Sequence, residues 1–296
     1  MKCLTAQDFD QELLILFDAY VHGTIDRRGF LEGAKKFAVV GMTAGMLLAA
    51  LSPNFAQAQQ VSPHDKRLKT ERVQYPSATG YGTVNGYLAR PANASGPLPG
   101  ILVVHENRGL NPHIEDIARR LALDGFMALA PDALTPLGGY PGDEDKAREL
   151  FAKLDQSKTR EDFLAGARYL KSRADCNGKL GTVGFCWGGG VAHVLSTHLP
   201  ELDAVVTFYG NHPPAEDAAK VKAPLLIHFA GIDEGINASW PAYEAALKAA
   251  GVHYTAYQYP GTQHGFNNDT TPRFDAASAT LAWQRTMAFF EKSLRG

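Results

Sequence analysis

Cysteine is scarce in this chain, three in 296 residues. That is too few for a fold stapled by disulfides. Neither sign of charge dominates: 29 Lys and Arg face 31 Asp and Glu, a formal net charge of −2. Without a basic excess there is no electrostatic footprint for nucleic acid or for an anionic membrane surface. No G-x-G-x-x-G follows an early strand pattern, which removes the dinucleotide fingerprint. No His, Cys or carboxylate spacing of the metal-binding kind stands out. The expectation is therefore no cofactor and no metal. Internal repeats and low-complexity tracts are also missing. What remains, at 45% hydrophobic and 20% charged residues, is an ordinary globular balance.

The first 58 residues read as an export leader. Asp26-Arg27-Arg28-Gly29-Phe30-Leu31 has the twin-arginine pattern. An apolar run, Phe37–Leu51, follows. It is shorter than the roughly 20 residues a bilayer-spanning helix needs. Ala56-Gln57-Ala58 then offers an A-x-A cleavage site. The expected organisation is a twin-arginine signal peptide over 1–58, outside the fold, and a single domain over 59–296. The expected location is periplasmic or secreted, with the twin-arginine machinery as a partner and no stable membrane insertion after processing. The acidic residues Asp8, Asp10, Glu12 and Asp18 ahead of the arginines are unusual for such a leader.

Cys3 would leave with that leader, so Cys176 and Cys186 remain. An extended segment between them sets them roughly 20 Å apart, beyond disulfide reach. Cys186 is then free to be a reagent.

Over 59–296, hydrophobic patterning alternates strand with helix. Arg72–Tyr75 and Gly82–Arg90 read as an antiparallel edge. Gly100–Val104, Met127–Ala130, Lys179–Phe185, Ala204–Tyr209, Leu225–Phe229 and Tyr254–Tyr259 read as further strands. Helix patterns separate them, among them Asn111 to about Asp124, about Glu144–Leu154, about Arg160–Ala174, Trp240–Ala250 and Ala276–Leu294. This pattern predicts an α/β fold, a mostly parallel sheet with helices on both faces.

Gly184-Phe185-Cys186-Trp187-Gly188 falls between an apolar strand and a helix-like segment. That is the context of a nucleophile elbow, where small flanking residues permit a tight turn and the nucleophile stands at a helix N-terminus. Ligands in such sheets bind beyond the carboxyl ends of the strands. Glu106, Cys186, Asp233 and His264 all fall at such ends. The order Cys, Asp, His is the α/β-hydrolase order of nucleophile, acid and base. Cys186 would attack an ester carbonyl, His264 would carry protons, and Asp233 would fix its tautomer. Backbone N–H groups of Trp187 and Asn107 would hold the oxyanion.

At these residues the chain resembles the dienelactone hydrolase family of the α/β-hydrolase superfamily, over roughly residues 70–294. The resemblance rests on Gly184-Phe185-Cys186-Trp187-Gly188-Gly189 and on Glu106. It implies hydrolysis of a small lactone or carboxylic ester through an acyl-cysteine. It also implies that Glu106 helps form the thiolate. Well-known members carry an arginine shortly after the catalytic His that grips a substrate carboxylate. Gly265-Phe266-Asn267-Asn268-Asp269 holds none, which leaves Arg108, Tyr140, Arg148 and Phe266 as candidate substrate contacts. Two other readings share the fold: a thiol-dependent acyltransferase or peptide-directed enzyme, and an inactive periplasmic binding protein.

Overall fold

A computed structural model describes residues 4–39 and 42–296; Cys3 lies outside the described residues. Eight strands form one sheet in the order β1-β2-β4-β3-β5-β6-β7-β8. They are β1 (Leu68–Ser77), β2 (Gly82–Pro91), β3 (Leu98–Val104), β4 (Met127–Pro131), β5 (Cys176–Phe185), β6 (Ala204–Phe208), β7 (Leu225–Ile232) and β8 (Tyr254–Gln263). β1 and β2 pair antiparallel, β2 meets β4 antiparallel, and every pairing from β4 to β8 is parallel. The predicted α/β sheet with an antiparallel edge is the observed one.

The central strands are apolar on both faces because helices cover both. Leu102 and Val104 of β3 join one core, and Ile101 and Val103 join the other. The helices in chain order are α1 (Gln11–Val21), α2 (Arg27–Ala34), α3 (Ala44–Leu51), α4 (Phe55–Ala58), α5 (Pro112–Leu123), α6 (Glu144–Phe151), α7 (Gln156–Ser172), α8 (Trp187–His198), α9 (Glu234–Asn237), α10 (Trp240–Ala249) and α11 (Ala276–Leu294). α7, α8 and α10 supply Phe163, Leu195 and Leu247 to the first core. α5 and α11 supply Ile117 and Phe290 to the second. Asn111 caps α5 as expected, its side chain accepting from Ile114 N–H. α7 begins four residues before the expected Arg160, because Asp155 caps it by accepting from Ser157 and Lys158 N–H.

Residues 1–58 were expected outside the fold, and here the structure differs. α1, α2 and α3 bury Leu13, Leu14, Phe17, Tyr20, Phe30, Leu47, Leu48 and Leu51 in a third apolar cluster. This strap is bonded to the domain. Arg27 of the twin-arginine pair forms an ion pair with Asp145 at 2.9 Å. Arg148 donates to the Tyr20 carbonyl at 2.7 Å. Asn54 N–H donates to the Thr270 carbonyl at 2.8 Å. Leu47, Leu48 and Leu51, from the run read as a leader's hydrophobic segment, serve here as a packing face.

Candidate active site

The turn after β5 explains its glycines. Cys186 holds φ 55° and ψ −119°, a positive φ that costs a non-glycine residue strain. A Cβ on Gly184 would stand 1.9 Å from the Gly188 carbonyl oxygen, and one on Gly188 2.4 Å from the carbonyls of Val104 and His105. The elbow closes only with hydrogen at both places. α8 starts at Trp187, so Cys186 is its N-cap residue and stands at the end of the helix that carries unpaired N–H groups.

Asp233 follows β7 and His264 follows β8. The two strands are neighbours, which brings the side chains together: His264 Nδ1 lies 2.7 Å from Asp233 Oδ2. His264 Nε2 is then left buried without a partner. It lies within 4.8 Å of Cys186 Sγ. The positions of Cys186, Asp233 and His264 at successive strand ends thus converge on one point.

Charge at that point is shifted. Burial alone would raise the Cys186 pKa. The positive charge of His264 and a hydrogen bond from His22 outweigh burial and bring it down to about 6. His264 moves the opposite way: burial opposes its charge, but the Cys186 thiolate and Asp233 hold it well above the usual histidine value. The stable form is a thiolate–imidazolium pair.

Beside the pair lies a cavity of about 760 Å³. Asn107, Trp187, Tyr209 and Arg148 line it. The other expected contacts sit elsewhere. Phe266 is fully buried and packs on Tyr209 and Tyr259. Tyr140 donates to Glu144 at 2.8 Å. Arg108 spends its guanidinium on the Asn107 side chain and the Val21 carbonyl. Glu106 accepts from Asn268 Nδ2 at 2.9 Å and lines an adjoining crevice with Arg108. It turns to Asn268 rather than to the thiol. His105 is a core residue: Nε2 accepts from Ala133 N–H at 3.2 Å, and its ring stacks on Trp187.

Four residues were not anticipated. Arg273 is 7% exposed, lines the cavity and pairs with Asp18 at 2.9 Å. It lies nine residues after His264, beyond the segment Gly265–Asp269 that immediately follows the histidine. Tyr209, at φ 39°, keeps its hydroxyl buried and unpartnered at the cavity wall. Asp18 and His22 come from the strap, and His22 Nε2 lies 3.4 Å from Cys186 Sγ. No spacing rule links positions so distant in sequence.

The model of the dienelactone hydrolase family matches residues 84–294. This chain belongs to the dienelactone hydrolase family. Its relatives agree. A "Putative carboxymethylenebutenolidase" of Escherichia coli (strain K12) is 37% identical over 221 residues, covering 70% of this chain and 81% of that protein. A "Putative hydrolase fragment YghX" from the same organism is 54% identical over 114 residues, 38% of this chain and 97% of that protein. The crystal structure of a "Putative Dienelactone Hydrolase" from Klebsiella pneumoniae subsp. pneumoniae MGH 78578 superposes with a TM-score of 0.69 at 30% identity. It covers 76% of this chain and 99% of that one. Membership makes the protein a hydrolase of lactones or esters. A second model, described as YqhI-like, matches residues 1–39, the segment that carries α1, α2 and His22.

Proposed function

We propose that the enzyme hydrolyses small esters or lactones bearing a carboxylate, using Cys186 as nucleophile, His264 as proton carrier and Asp233 as its orienter. The observation that carries this reading is the His264–Asp233 contact at 2.7 Å, which aims a bare Nε2 at a thiol held near pKa 6.

In this mechanism the thiolate adds to the substrate carbonyl. The oxyanion is received by the N–H groups of Trp187 and Asn107, an interaction whose loss typically costs about 3–4 kcal/mol of barrier. The His264 imidazolium gives its Nε2 proton to the departing alkoxide, leaving an acyl-cysteine. Water then loses a proton to His264 and attacks the thioester. Collapse releases the acid and restores the thiolate–imidazolium pair. Asp233 keeps Nδ1 protonated throughout.

Arg273 supports the carboxylate preference. A buried guanidinium at a cavity wall, already holding one carboxylate in Asp18, is a ready site for another. Substrate would exchange with Asp18.

Steady-state kinetics on p-nitrophenyl acetate and on a carboxylated dienelactone test both parts. Cys186→Ala should abolish turnover of both substrates in a folded protein; parental rates in that variant would sink the mechanism. Arg273→Met should raise KM for the carboxylated substrate and leave that for the neutral ester nearly unchanged. An equal rise for both would remove the carboxylate grip. Product analysis with added alcohol separates hydrolysis from acyl transfer.

A further inference from the structure

His22 reaches the thiol from outside the family domain. Its Nε2 lies 3.4 Å from Cys186 Sγ, and its ring meets that of His264 edge-on at 4.7 Å. Among the described residues, His22, Cys186 and His264 bring three donor atoms within 4.8 Å of one another. One is a thiolate sulfur and two are imidazole nitrogens.

Tetrahedral zinc with one sulfur and two nitrogen ligands sets its donors about 3.3–3.6 Å apart, given Zn–S of about 2.3 Å and Zn–N of about 2.0–2.1 Å. The His22–Cys186 separation already falls in that range. The remaining separations close with side-chain shifts of about an ångström.

Both imidazoles are also oriented as zinc ligands are. Metal-bound histidines almost always rest their other nitrogen on a carboxylate or carbonyl. His264 Nδ1 rests on Asp233 at 2.7 Å. His22 Nδ1 donates to the Asp18 carbonyl at 2.9 Å and lies 3.1 Å from its carboxylate. Each ring is fixed with Nε2 toward the sulfur. The buried His264 Nε2 has no other partner. All three residues line the same cavity, which leaves a fourth direction open to water, and His22 lies at the exposed edge where an ion can enter.

We propose that the full chain binds one Zn²⁺ through Cys186 Sγ, His22 Nε2 and His264 Nε2, with the strap supplying the third ligand. Binding displaces the Nε2 protons of His264 and His22, both held charged by their surroundings, together with whatever proton the thiol still holds. Soft-ligand preference favours zinc over magnesium or calcium. If Cys186 is the nucleophile, as proposed above, the bound ion takes up the attacking sulfur and silences hydrolysis while it ties the strap down.

Two measurements on the reduced, full-length protein read binding without reference to turnover. Calorimetry with Zn²⁺ should give one equivalent bound. Titration with Co²⁺ should give a sulfur-to-cobalt charge-transfer band in the near ultraviolet. His22→Gln should lower affinity by more than about 100-fold, since orienting residues alone typically account for 10–100-fold. Asp18→Asn, which leaves all three ligands in place, should lower it by about 10–100-fold. Cys186→Ser should abolish the charge-transfer band. The proposal is overturned if the reduced full chain binds no zinc, if His22→Gln binds as the parent does, or if cobalt binds without a thiolate band. Failure of the hydrolytic reading would show instead as unchanged turnover in Cys186→Ala, with metal binding judged separately.

Discussion

Two opposing influences meet at the Cys186 sulfur. Burial favours the neutral thiol, while the charge on His264 and the hydrogen bond from His22 favour the anion and prevail, to about 6. A thiol lowered from 9.0 to about 6 on folding stabilises the native state at high pH. That contribution is lost as pH falls through about 6. Reactivity should follow the same midpoint, because the thiolate is the nucleophile. Iodoacetamide should therefore alkylate Cys186 with a rate that rises through about pH 6 and is flat from pH 7 to 9. A midpoint near the ordinary thiol value would show that the imidazolium is not there. The neighbouring glycines permit an equally local test. Gly188→Ala sets a methyl against two backbone carbonyls at 2.4 Å, with no flexible side chain to yield. It should cost more than about 3 kcal/mol in urea unfolding; a loss below 1 kcal/mol would mean that the elbow can relax.

The elements show where sequence is informative and where it stops. β3 and α11 are readable because period and apolar content agree with what packing requires. Leu102 and Val104 face one core, Ile101 and Val103 the other, and α11 spans the expected Ala276–Leu294. The start of α7 was not read, because its signal is one capping side chain rather than a period. Asp155 accepts from Ser157 and Lys158 N–H at 2.9 and 3.3 Å. Asp155→Ala should cost about 1 kcal/mol and lower Tm by about 2–4 °C, measured by calorimetry; no shift would assign that helix start to packing alone. The elbow, Asp233 and His264 were legible because strand ends in a parallel sheet point the same way. Phe266 and Tyr140 were not, since a residue beside a site in sequence can turn its side chain into the core or toward another loop. Arg273 was missed because the intervening loop folds back, a path that no local pattern records.

At the scale of the whole molecule, α1 of the strap and the turn after it form one wall of the cavity at the thiol. Cys186 is 7% exposed, and Leu14, Ile15, Asp18 and His22 form part of the cavity wall. Every strand of the sheet lies after the strap, between Leu68 and Gln263, and the family model matches residues 84–294. A chain beginning at residue 59 should therefore fold. Without the strap, Arg273 loses Asp18 and the cavity opens on one side. Its rate of Cys186 alkylation at pH 8 should exceed that of the full chain several-fold. Its kcat/KM for a carboxylated substrate should rise as well, because Asp18 no longer competes for Arg273. Equal rates in both chains would show that the strap lifts freely in solution and governs nothing. A faster alkylation without a gain in kcat/KM would separate the two roles, leaving the strap as a cover for the thiol and Asp18 as a weak competitor.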